Sequence, residues 1–137
     1  MKVKCLHISA NERHLKLLGN NFDAEIRYNQ ISIGSVYTVL AMTCHRASQY
    51  FGDQPTVDII DDNGSLRVVP ICFFETIDNR PSLDWEISID ANGVVKLWPH
   101  EYFENPYFHD DLSNGDTRVI TALKNIISRM NGDASQP

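Results

Sequence analysis

The stretch Thr56-Val57-Asp58-Ile59-Ile60-Asp61-Asp62-Asn63-Gly64-Ser65-Leu66-Arg67-Val68-Val69-Pro70 reads as a β-hairpin. Two runs rich in β-branched residues flank Asp61–Gly64. The Asn63-Gly64 pair tolerates the positive φ that a tight hairpin turn needs. Leu66–Phe74 is the returning strand, and Pro70, which has no amide hydrogen, confines part of it to a sheet edge or a bulge. Further on, Trp85, Ile87 and Ile89 alternate with Glu86, Ser88 and Asp90, the period of a strand with one apolar face. Ala91-Asn92-Gly93 makes a second turn, and Val94–Trp98 pairs back. Two hairpins in sequence predict an antiparallel β core.

On the N-terminal side, Met1–Ile8 begins as a strand, with Lys2 and Lys4 alternating with Val3 and Cys5. Asn11–Gly19 reads either as a short helix, capped by Asn11 and stopped by Gly19, or as a loop. Gly19-Asn20-Asn21 is a turn, Glu25–Met42 carries the strongest β signal, and Cys44–Gln54 reads as a loop. On the C-terminal side, Val119, Ile120, Leu123, Ile126, Ile127 and Met130 form one stripe at helical period. Asp116 caps that helix, Asn131-Gly132 stops it, and Asp133–Pro137 is a frayed tail. Pro99–Gly115 reads as irregular, aromatic and acidic. The expectation is one α+β domain over residues 1–137, with the C-terminal helix packed on the sheet.

Composition narrows the function. The chain has 137 residues, 42% of them hydrophobic and 22% charged, which suits a single globular domain. Its charge is uneven: residues 51–116 hold 14 acidic against 3 basic side chains, within a chain whose net charge is −6. That balance opposes nucleic acid as a ligand, because a polyanion needs a basic patch. Lys2, Lys4, Arg13 and Lys16 read as solvated surface. No leader-like apolar segment opens the chain and no apolar run approaches a bilayer span, so the expected compartment is the cytoplasm, with no membrane partner. Cys5, Cys44 and Cys72 lack a paired spacing and read as small hydrophobes.

The residues of a type that carries chemistry mostly fail on spacing. His100, Glu101 and Glu104, with His109, Asp110 and Asp111, offer imidazole and carboxylate ligands, but the second histidine of a helical zinc motif is missing at i+4. Counting Asp58 as the first position of a calcium loop places Val69 where a glutamate is required. Nothing selects a catalytic pair among Glu75, Asp78, Asp84 and Glu86. His7, His14 and His45 read as surface or satisfied core positions. No nucleophile elbow, phosphate loop or dinucleotide fingerprint is present. The expectation is therefore a non-enzymatic protein without cofactor or metal. Trp98, Tyr102, Phe103, Tyr107 and Phe108 either seal the sheet beneath the last helix or form an aromatic interaction surface.

Residues 1–78 resemble a group of small SH3-like β-barrel proteins of bacteria and phages. The resemblance rests on Val3, Lys4 and Cys5; on Ile31, Gly34, Tyr37 and Val39; on Ile59, Asp61, Asp62 and Gly64; and on Pro70, Phe74 and Glu75. Ser35 stands where that pattern has lysine, and Asn11–Glu25 and Cys44–Gln54 look like insertions. The extension, with Asp78, Arg80, Ser82 and Trp85 before a strand pair and a helix, resembles bacterial toxin-immunity proteins. Together these imply an SH3-like antiparallel barrel or strongly curved sheet (1–78), a hairpin with an acidic aromatic extension (79–115), and a C-terminal helix (116–131). They further imply an immunity protein that neutralises a cognate toxin. The acidic belt predicts a basic protein partner, bound through Asp84, Glu86, Trp98, Glu101, Tyr102, Glu104, Asp110 and Asp111. The alternative is an SH3-like binding module of phage or mobile-element origin, with its ligand surface on residues 1–78.

Overall fold

The computed structural model describes residues 1–135; Gln136 and Pro137, the end of the expected tail, lie outside the described residues. Two antiparallel sheets form. The first has β1 (Lys2–Cys5) between β2 (Val36–Thr38) and β6 (Phe74–Asp78). The second contains β3 (Ala41–Cys44), β4 (Pro55–Ile60), β5 (Leu66–Pro70), β7 (Trp85–Ile89) and β8 (Val95–Pro99), in the order β5-β4-β3-β8-β7. The sheets do not close into a barrel. They are joined at two corners. At the first, Val39 N–H still bonds Met1 of the first sheet while Leu40 N–H already bonds Asp58 of the second. At the second, a 3-10 turn over Ile71–Phe73 carries the chain from β5 to β6. Val3, Val39, Val57, Ile59, Val69 and Phe73 fill the space between the sheets and are fully buried.

Both hairpins are legible in residues and share one device. Asp61 accepts the amides of Asn63 and Ser65, and Asp90 accepts those of Asn92 and Val94. Gly64 and Gly93 take the positive φ, at 82° and 81°. The asparagines before them do not, so glycine alone carries the left-handed position in each Asp-x-Asn-Gly turn. Pro70 lies at the end of β5, an edge strand, as its missing donor requires.

Among the described residues, four α-helices complete the fold. In α1 (Glu12–Leu17), the Asn11 side chain accepts His14 N–H while the Asn11 amide donates to His14 Nδ1. That reciprocal cap explains why so short a helix forms. It also decides His14, read as a surface or satisfied core position: it is only 4% exposed. Its ring packs on Phe73, and burial lowers its pKa, which fits the unprotonated Nδ1.

The β signal over Glu25–Met42 yields only β2 and the start of β3. Gly34 turns the chain at φ +90°, and Glu25–Ser35 joins no ladder: it has one β-bridge, Arg27 to Ser9, and isolated backbone bonds that tie Tyr28 to Ile8, Gln30 to Asp62, and Gly34 and Ser35 to Cys5. Strand propensity reports fit to a paired strand, and here the apolar residues pack without a ladder, Ile31 reaching the core at 3% exposed. Pro99–Gly115, expected to be irregular, contains α2 (His100–Glu104) and α3 (Phe108–Ser113). Helices this short carry no periodic stripe that a sequence could display. Finally, α4 spans Thr117–Ser135 and runs through the expected stop at Asn131-Gly132, since one glycine costs a helix only about 1 kcal/mol. Val119, Leu123, Ile126 and Met130 of α4 bury against Leu40, Ala41, Tyr102 and Phe108, forming a second core on the other face of the long sheet. No helix among the described residues is long and apolar enough to cross a membrane.

Candidate functional site: a carboxylate ribbon on β7 and α2

The second core places α2 and α4 beside the end of β7, and with them most of the acidic residues singled out above. Arg129 of α4 sits between two carboxylates. Its Nε donates to Asp84 at 2.6 Å and its Nη2 to Asp84 at 2.9 Å and to Glu101 at 2.6 Å. These bonds raise the Arg129 pKa further. Alongside, His100 bridges Glu86 of β7 (Nδ1, 2.7 Å) and Glu104 one helical turn on (Nε2, 2.6 Å). Both hydrogen bonds raise the His100 pKa. Four carboxylates thus share one permanent cation and one titrating cation, and the ribbon keeps an excess of negative charge. Glu86, His100 and Glu104 are exposed, whereas Asp84 and Glu101 are half-buried.

A second constellation lies deeper. Asp58, in the middle of β4, is 5% exposed. It accepts the Tyr102 hydroxyl at 2.8 Å and His109 Nε2 at 2.8 Å. A carboxylate can only accept, so both partners donate. Burial, and then the Asp58 charge, push the Tyr102 hydroxyl well above its ordinary pKa, so it stays protonated. The Asp58 hydrogen bond raises the His109 pKa against the opposing effect of desolvation. His109 also contacts the rings of Tyr102 and Phe108. The network ties α2 and α3 to the sheet and satisfies the one carboxylate buried at the helix–sheet junction.

The eight expected contact residues therefore divide. Asp84, Glu86, Glu101 and Glu104 come together in the ribbon. Tyr102 is 3% exposed and belongs to the core, out of reach of a docked partner. Trp98 is half-buried: its indole N–H donates to Thr43, its ring packs on Tyr102 and Phe103, and Lys96 sits over it. Asp111 accepts Asn105 at 3.0 Å, and Asp110 is exposed and raises the His109 pKa through space. Of the aromatic segment, Tyr102 and Phe108 seal the core under α4, while Tyr107 stands exposed. His100 and His109 face different carboxylates, so the imidazoles once weighed as a single ligand set are separated.

Two functional residues escaped the sequence reading. Arg129 stands in the sequence as one basic residue near the C-terminal end of the helical stripe. Asp58 reads in the sequence as a strand residue and a failed calcium-loop position, and its partners lie 44 and 51 positions away. No local signal connects them.

The thiols add no nucleophile. Cys5, Cys44 and Cys72 are free, and burial raises the pKa of each, Cys72 to about 11. The chain matches no family model, no curated protein and no solved structure.

Proposed function

We propose that this chain is a cytoplasmic, non-enzymatic immunity protein that binds and neutralises a basic toxin domain. One observation carries the reading: four carboxylates, Asp84, Glu86, Glu101 and Glu104, are assembled from two elements and pinned by Arg129 and His100. Carboxylates held in place before binding lose little side-chain entropy on docking, and their excess charge steers a cationic partner. Toxins that attack nucleic acid present basic surfaces, and an acidic protein can occupy them. Asp110 and Asp111 extend the acidic surface along α3.

The SH3-like character of residues 1–78 belongs to the same proposal. The short 3-10 turn before β6, the chain crossing between sheets at Val39-Leu40, and the pairing of β1 with both β2 and β6 support it. In this reading the two sheets are the opened halves of a barrel.

The test is co-expression with the protein encoded immediately upstream. Expressed alone, that protein should arrest growth, and this chain should restore it. An upstream product without toxicity, or toxicity that this chain leaves unrelieved, overturns the proposal.

A further inference from the structure

We infer that the free edge of β7 pairs with the β7 edge of a second copy of this chain, extending the long sheet across a two-fold axis. The starting point is an edge without protection. Edge strands ordinarily carry lysine, proline or a bulge that discourages pairing. The opposite edge of the same sheet, β5, has Arg67 and Pro70. β7 has the sequence Trp85-Glu86-Ile87-Ser88-Ile89, with none of these devices and a regular register to β8 over all five residues. Ile87 and Ile89 are 71% and 67% exposed, which is unusual for isoleucine in a strand.

The hydrogen-bond phase of the hairpin defines what the edge offers. Asp90 N–H bonds Val94 C=O, so Asp90 and Val94 form a hydrogen-bonded pair. Alternation along an antiparallel ladder then directs the amides of Ser88 and Glu86 at β8. The amides and carbonyls of Ile87 and Ile89 point outward. The Trp85 amide is taken by Ser82 C=O at 3.3 Å, but its carbonyl remains on the edge.

This pattern is self-complementary. An antiparallel copy centred on Ile87 sets Ile87 against Ile87 of the second chain, with two mutual hydrogen bonds. Ile89 N–H then meets the Trp85 carbonyl of the other copy, twice by symmetry. On one face the exposed isoleucines of both copies join into a continuous apolar strip. On the other, each Glu86 lies beside a Ser88 of the second copy, and the next pair out sets Asp84, already held by Arg129, against Asp90 at either end, a like-charge contact that weakens the pairing. A two-fold axis closes the assembly, because pairing consumes both edges. A five-residue strand pair buries less than the roughly 1,200 Å² of a stable interface, so the dimer is weak and concentration-dependent. The carboxylate ribbon lies on the Glu86 side, so dimerisation sets two ribbons side by side.

The experiment is sedimentation velocity on the full chain between about 10 µM and 1 mM, with amide hydrogen exchange at both ends of that range. The expected mass climbs from 15.6 kDa toward twice that value. Ile87 and Ile89 amides should gain protection with concentration, while the Ser88 amide, already bonded to β8, should not. Ile87→Lys places two ammonium groups face to face at the axis and should weaken association at least tenfold. Because Ile87 is exposed, the variant keeps its fold, which circular dichroism verifies. Ser88→Lys, set beside Glu86 of the other copy, should tighten association. A chain that stays monomeric throughout, grows beyond a dimer, or associates equally well as Ile87→Lys overturns the inference.

Discussion

Replacing Tyr102 with phenylalanine removes one oxygen and leaves the ring, so no cavity opens and the effect isolates a single hydrogen bond. That bond runs at 2.8 Å to Asp58, and both residues are buried. Loss of a donor to a buried charged acceptor costs about 1.5–3 kcal/mol. His109 continues to donate to the same oxygen, which places the expected loss near the lower half of that range, about 2 kcal/mol. For a chain of 137 residues this lowers Tm by about 8 °C. The assay is urea unfolding followed by tryptophan fluorescence, at pH 5.5 and pH 8.5. The folded pKa of His109 lies above its unfolded value. The stability it supplies is therefore complete below the unfolded pKa, near 6.5, and is lost as pH rises through the folded pKa. Without the Tyr102 hydroxyl, Asp58 depends on His109 alone, so the variant loses more at pH 8.5 than at pH 5.5. The His109 side chain is 47% exposed, and solvent screening keeps that difference below about 1 kcal/mol. A loss under about 0.5 kcal/mol at both pH values would show that Asp58 is not desolvated by the helix–sheet junction. A larger loss at pH 5.5 would reverse the assigned sign.

Three further outcomes follow from the same contacts. Arg129→Met leaves Asp84 and Glu101 facing each other and should cost about 1 kcal/mol in thermal unfolding at low salt, fading as salt screens the pair; an effect independent of salt would contradict the ribbon's electrostatics. Gly64→Ala, at φ +82° with open space around a new Cβ, should cost about 1 kcal/mol, whereas Gly19→Ala would place Cβ 2.1 Å from the Gln49 carbonyl oxygen and should destabilise several-fold more; comparable losses in urea unfolding would refute the close approach of those two loops. The His100 titration followed by NMR should have its midpoint above that of a free histidine and should move down in Glu86→Gln; an unchanged midpoint would break the proposed bridge.

Much of this architecture is readable because single residues dictate it. The Asp-x-Asn-Gly turns need only a carboxylate and a glycine at fixed offsets, and α4 displays a long apolar stripe. Other parts depend on contacts remote in sequence. Glu25–Ser35 has strand-like residues, but no partner strand faces it. The helices α2 and α3 exist because Tyr102 and Phe108 find the core formed by Leu40, Ala41 and α4. The acidic belt was legible as composition. Its organisation was not, since the cation that gathers Asp84 and Glu101 comes from a helix 45 and 28 residues away. Tyr102, expected among the partner-contact residues, is a core residue because it finds that packing. Residue type gives the capacity of an aromatic or a carboxylate, while packing decides which capacity is used.

The proposed immunity function turns on one event, the docking of a basic protein on the β7–α2 ribbon. It is tested most directly by the association rate with the product of the upstream gene, measured by stopped flow at about 50 and 300 mM salt. The reagents are the wild-type chain and the double variant Glu86→Lys/Glu104→Lys, both exposed positions. The expected result is a wild-type rate that falls steeply with salt, and a rate for the double variant at least about tenfold slower at low salt. Equal rates for the two proteins, with no dependence on salt, would contradict it.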